Sequence, residues 1–183
     1  DTDRSRGLGD VYKRQDKLRK IKAVVLDVDG VLTDGRAGFG GENEIKFFHL
    51  RDGHWMKLAI RAGLKVGLLS GRGAKANRQR AEELGLSFCY ENCKDKLEAF
   101  EKMLAEQGLS AAECLYMGDD VIDMPPMRRA GVGVVVADGV PELDEVALWR
   151  TETPGGHGAV AEVIRILLAG QDKLDGVLER YRR

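Results

Sequence analysis

The sequence predicts an α/β protein: a mostly parallel sheet with helices on both faces, plus a β-hairpin inserted after the first strand. Two observations carry this. From Ile21 onward, short β-branched or leucine-rich runs alternate with segments of helical period, which is the succession of βαβ units. Several of those runs end in Asp, Ser or Gly, so polar groups gather where strands run out, the edge at which open α/β sheets bind ligands.

In chain order, Asp1 to Gln15 are polar, contain glycine and show no periodicity; they read as a disordered tail foreign to the domain, which then spans 16–183. The first strand is Ile21–Leu26, and Gly30 lets the chain turn after it. Thr33 to Leu50 carries four glycines around Phe39 and then Ile45-Lys46-Phe47-Phe48, the pattern of a hairpin with a glycine-rich tip. Such an insertion can cover a site mouth or pair with another subunit, but it is too short for a cap domain. Further strands follow at Leu64–Leu69, Ser87–Tyr90, Cys114–Met117 and Val132–Val136. A helix over 97–107 puts Leu97, Phe100, Met103 and Leu104 on one face; another over 159–168 does the same with Val160, Val163, Ile164, Leu167 and Leu168.

At 183 residues the chain suits one well-buried domain. A net charge of −1 offers no basic excess for nucleic acid and no polybasic tract for a membrane surface. No apolar stretch reaches the roughly 18 residues of a membrane span, and the charged N-terminus has no hydrophobic signal core. A small substrate and a cytoplasmic location are expected. Cys89, Cys93 and Cys114 form no C-x-x-C pair, so they read as buried free thiols rather than a zinc site or disulfide framework.

Four strand ends carry chemistry. Asp27 and Asp29, two residues apart, suit covalent phosphoryl chemistry, although an Asp-x-Asp also occurs in plain turns. Ser70-Gly71-Arg72 offers a hydroxyl and a glycine amide at a helix start, where phosphate oxygens are favoured; an ordinary capping serine reads the same way. Lys96 opens the next helix, where a cation opposes the helix dipole unless an anion lies nearby. Asp119, Asp120 and Asp123 crowd a fourth strand end, and like charges so close call for a cation. Magnesium, which takes a few carboxylates plus water and phosphate, fits Asp27 and Asp119 facing each other. Asp123 suits equally the cap of the helix that Pro125 begins.

These motifs in this order, over Ile21 to about Leu168, resemble the haloacid dehalogenase superfamily. Leu26 to Gly35, Arg51-Asp52-Gly53 and Gly155-Gly156-His157-Gly158-Ala159 are similar to its capless sugar-acid phosphatases. The resemblance implies a Rossmann-like sheet and Asp27 as the nucleophile that forms an aspartyl-phosphate. It implies Asp29 as acid and then base, a second aspartate that dehalogenases lack. Mg²⁺ would be held by Asp27, the backbone carbonyl of Asp29 and Asp119, with Ser70, Gly71 and Lys96 on the phosphate and with Asp120 and Asp123 in support. The acidic sugar would meet Asp29, Lys96, the stretch His49, Leu50, Arg51, Asp52, Gly53, and then Lys57, Arg72 and Arg80, arginines being bidentate donors to carboxylate and phosphate.

By the same resemblance the substrate is an octulosonate 8-phosphate of lipopolysaccharide precursor synthesis. Arg72 favours it over a nonulosonate 9-phosphate, for which an acidic residue is expected there. A homotetramer is implied, with the hairpin building a central barrel and a C-terminal tail covering a neighbour's site. The chain departs from the family pattern at His49, His54-Trp55, Lys57 and His157, and Trp55 puts substrate size or subunit contacts near it in question. Two readings from other classes are a non-catalytic oligomerisation module of a sugar-nucleotide synthetase and a phosphoacceptor signalling domain. The full set of catalytic side chains argues against the first, and the paired Asp29 against the second.

Overall fold

The structure, a computed structural model, describes residues 14–183. Residues 1–13 of the expected tail lie outside the described residues; Arg14 and Gln15 instead belong to helix α1 (residues 14–20). The Arg14 guanidinium sits 4.0 Å above the Trp149 ring, a cation–π contact that ties this helix to the far edge of the sheet.

Six strands form one parallel sheet: β1 (Ala23–Leu26), β4 (Lys65–Leu69), β5 (Phe88–Tyr90), β6 (Cys114–Gly118), β7 (Val132–Val135) and β8 (Trp149–Arg150). Their order is β5-β4-β1-β6-β7-β8. The five strands read from the sequence are all present, and β8 is added; two residues leave too little pattern to be seen. The inserted hairpin is the antiparallel pair β2 (Gly38–Gly40) and β3 (Asn43–Ile45).

Every residue of β1 is fully buried, because helices cover both faces of the sheet. Alternation along the strands divides the core in two. Val24, Leu26, Leu115 and Met117 face α2 (Leu50–Arg61) and α6 (Ala159–Gly170). Ala23, Val25, Cys114 and Tyr116 face the layer of α4 (Lys96–Gln107) and α5 (Met124–Arg129). Helix α3 (Lys75–Leu84) follows β4, and the short α7 (Leu174–Leu178) follows α6.

No sequence signal marked α2, which carries Asp52, Gly53, Trp55, Met56, Leu58 and Ala59 as its buried side. Trp55 is 8% exposed, in the core where α2 packs on α6, and the Arg165 guanidinium of α6 lies 4.7 Å over its ring. It joins two helices rather than shaping an open site. Of the thiols, Cys114 is buried as expected, whereas Cys89 and Cys93 are only half-buried; all three are free.

The sheet order places the site. From β1 the chain builds outward through β4 and β5, then returns to the other side of β1 for β6, β7 and β8. That reversal opens a crevice above the carboxyl ends of β1 and β6.

Candidate active site

Asp27 follows the last residue of β1 and is 4% exposed; the Val28 amide donates to its Oδ1 at 2.7 Å. Asp119 follows β6 across the crevice. Gly30 makes their approach possible: its φ of +95° is in the region that favours glycine, and a side chain there would overlap the Asp119 carboxylate. On α4, the Asp95 side chain accepts from the Leu97 and Glu98 amides at 2.9 and 3.0 Å, which starts the helix at Lys96. Lys96 Nζ then reaches Asp27 Oδ1 at 2.9 Å and Asp123 Oδ1 at 2.7 Å, with 2% of its side chain exposed.

Asp123 does not cap α5. Its carboxylate turns back over Gly118, where any side chain would collide with it, and both of its oxygens are used. Oδ1 accepts from Lys96 and, at 2.8 Å, from the Tyr116 hydroxyl; Oδ2 accepts from the Asp119 and Asp120 amides at 3.0 and 3.4 Å. Tyr116 is a site residue with no sequence signal, hidden in the apolar run of β6. Burial, reinforced by Asp123, holds its hydroxyl well above the usual phenol range, so it remains a donor.

Three carboxylates, Asp27, Asp119 and Asp123, bring oxygens within 4.8 Å of one another. One lysine faces them. Burial pushes Asp27 up to about 7, the Asp123 charge adds to this, and Lys96 opposes it. Asp119 rises to about 8 through burial and then through Asp27 and Asp123. Acids this reluctant to ionise together are the donor set a divalent cation satisfies. Because both Asp123 oxygens already accept hydrogen bonds, Asp27 and Asp119 are the better ligands, with Asp123 orienting Lys96.

Ser70 follows β4 and is buried; its Oγ accepts from the Arg72 amide at 3.3 Å, which leaves the hydroxyl proton to donate. A cavity of about 480 Å³ opens beside Gly71, Arg72 and Lys96. Asp29 is half-buried, and its Oδ1 accepts from Lys46 Nζ at 2.6 Å. Lys46 carries no sequence signal of its own, because Ile45-Lys46-Phe47 reads as plain strand alternation.

Several expected residues stand elsewhere. Asp120 is exposed and accepts from the Val121 amide at 2.7 Å, capping its own turn instead of supporting Lys96. Asp52 is buried and accepts from the Ala161 amide at 2.8 Å, fixing α2 to the start of α6; burial pushes its carboxyl up against the pull of that amide. Arg80 is buried against Gly53, paired with Glu83 at 2.9 Å and 5.6 Å over the Phe48 ring. No hydrogen bond or ion pair joins Asp52 or Arg80 to the four-residue centre. His49 precedes α2 with a buried, unpartnered Nδ1, Lys57 is half-buried on α2, and Leu50 is 79% exposed. Arg51 lines a second cavity of about 410 Å³ with His157 and Arg165.

Residues 90–164 match the haloacid dehalogenase-like hydrolase family. The chain is 40% identical over 161 residues to the 3-deoxy-D-manno-octulosonate 8-phosphate phosphatase of Yersinia pestis, covering 87% of this chain and 86% of that protein. The chain belongs to the 3-deoxy-D-manno-octulosonate 8-phosphate phosphatase family. Among solved structures, a haloacid dehalogenase superfamily hydrolase of Legionella pneumophila superposes with a TM-score of 0.91 at 36% identity, over 96% of this chain and 97% of that one. The family's Moraxella catarrhalis phosphatase, crystallised with a magnesium ion, a phosphate ion and the sugar acid KDO, gives 0.88 at 32% identity, over 91% and 97%. Among the described residues, no helix of this family member is long and apolar enough to cross a membrane.

Proposed function

We propose that this chain hydrolyses 3-deoxy-D-manno-octulosonate 8-phosphate to the free sugar acid and inorganic phosphate, as a Mg²⁺-dependent phosphoric monoester hydrolase of lipopolysaccharide precursor synthesis. The observation that carries this is the buried centre itself: Asp27, Lys96 and Asp123 in direct contact, with Asp119 within ligand distance, at the reversal of the sheet.

A carboxylate oxygen of Asp27 attacks phosphorus, and the bond from phosphorus to the sugar oxygen breaks as Asp29 gives that oxygen a proton. Water then attacks the aspartyl-phosphate, its proton passing to the Asp29 carboxylate, and phosphate leaves with Asp27 restored. Lys96 and the Ser70 hydroxyl hold the phosphoryl oxygens and balance their charge. Asp27, Asp119 and the Asp29 carbonyl would hold Mg²⁺, which would supply further neutralisation of that charge. Arg72, which lines the cavity beside Lys96, is the side chain suited to the substrate carboxylate.

The deciding experiment is phosphate release from a panel of sugar-acid phosphates with and without Mg²⁺. Preference for the eight-carbon substrate, abolished by chelation, is expected. Preference for a nine-carbon acid overturns the substrate, and undiminished turnover without divalent cation overturns the cofactor.

The reading extends to a cytoplasmic homotetramer. Phe39, Ile45 and Phe47 of the hairpin, with Leu50 beside it, are 74%, 46%, 84% and 79% exposed, an apolar group suited to burial against other copies of the chain.

A further inference from the structure

The hairpin sends one side chain into the site. Lys46, the residue after β3, keeps only 1% of its side chain exposed, and its Nζ lies 2.6 Å from Asp29 Oδ1 and 4.0 Å from Glu44 Oε1. Glu44 in turn meets Arg72 Nη2 at 3.1 Å. The alternating row Asp29, Lys46, Glu44, Arg72 thus joins the loop after β1 to the loop after β4 by way of the hairpin. Withdrawing an ammonium from water is unfavourable unless carboxylates meet it, which makes this a built contact rather than a passing surface bridge.

Asp29 accepts no other side-chain hydrogen bond among the described residues, so Lys46 decides where its carboxylate points. We propose that Lys46 is a positioning residue for the proton donor, gripping Asp29 Oδ1 so that Oδ2 is presented to the leaving oxygen. The inference rests on Asp29 being the acid of the reaction proposed above. When Oδ2 gives its proton to the departing sugar oxygen, the bond from phosphorus to that oxygen breaks and Asp29 is left as a carboxylate beside a fixed ammonium. With its Nζ enclosed between Asp29 and Glu44, Lys46 acts on the reaction through Asp29.

The test compares leaving groups, because a general acid matters for an alkoxide and little for a phenolate that departs unaided. The readout is kcat/KM, which reports the steps up to phosphorylation of Asp27. K46M is expected to lower kcat/KM for 3-deoxy-D-manno-octulosonate 8-phosphate by about 10- to 100-fold, part of the span general acids supply. With p-nitrophenyl phosphate it should change little, which also shows the variant to be folded. K46R, which keeps a cation in reach, should recover part of the loss, and in a D29N background K46M should cost nothing more. Equal losses on both substrates, or a full further loss in the D29N background, overturn the proposal. If K46M is insoluble, K46Q is read in the same way. Should the wild type not hydrolyse the octulosonate phosphate, the function proposed above fails by itself, and Lys46 is tested on whichever alkyl phosphate the enzyme does hydrolyse.

Discussion

Replacing Gly30 by alanine puts a methyl group into the space of the Asp119 carboxylate and forces a left-handed backbone on a residue that resists it, at about 1–2 kcal/mol. Asp119 must then swing away from Asp27. G30A is expected to weaken Mg²⁺ binding, read by titration calorimetry, and to lower turnover at limiting Mg²⁺; unchanged affinity would show that Asp119 is not a ligand. D27N is expected to take turnover to background while the protein still melts cooperatively, since the proposed nucleophile is removed. Asp27, Ser70, Lys96 and Asp119 are legible in sequence because acids, a serine and a lysine at successive strand and helix ends stand out against apolar runs. Tyr116 and Lys46 are not legible: one is a β-strand residue among others, and the other directly follows a three-residue strand, with an exposed neighbour on each side. The burial of Asp52 and Arg80 is not legible either, since a charged side chain in a motif-like stretch looks available until the helix that buries it is known.

Helix α2 shows why some elements escape notice. Its buried side contains Asp52 and Gly53, a charge and a poor helix former, so the apolar period that marks α4 and α6 is broken in its first turn. The strands of the sheet have no such interruption, being buried on both faces and therefore continuous in apolar composition. Trp55 is the anchor of α2 on α6. W55A should leave a cavity worth about 3–5 kcal/mol. That corresponds to a fall in Tm of roughly 10 °C for a chain of this size. KM for the sugar phosphate, measured well below the transition, should barely move. A KM change with Tm preserved would instead place Trp55 against the substrate.

For the molecule as a whole, assembly and metal binding are the properties to test. If the exposed hairpin face is where copies of the chain meet, F47E should convert the proposed tetramer into smaller species in light scattering. An unchanged mass would exclude that face. The metal centre couples to global stability through its raised carboxyls. Asp27 and Asp119 titrate near 7 and 8 in the folded chain against about 3.9 when unfolded. Between those limits the metal-free folded state holds protons that the unfolded state has released, so its stability falls as pH rises through this window. Mg²⁺ displaces those same protons and reverses the loss. At about 100 times its dissociation constant it should add roughly 2.7 kcal/mol. The metal-free Tm is therefore expected to drop from pH 5 to pH 8, while the upward shift on adding Mg²⁺ grows over the same range and is lost in D119N. A Mg²⁺ shift independent of pH would mean that the ion binds away from these two carboxylates, and the three-acid crevice above β1 and β6 would then need another occupant.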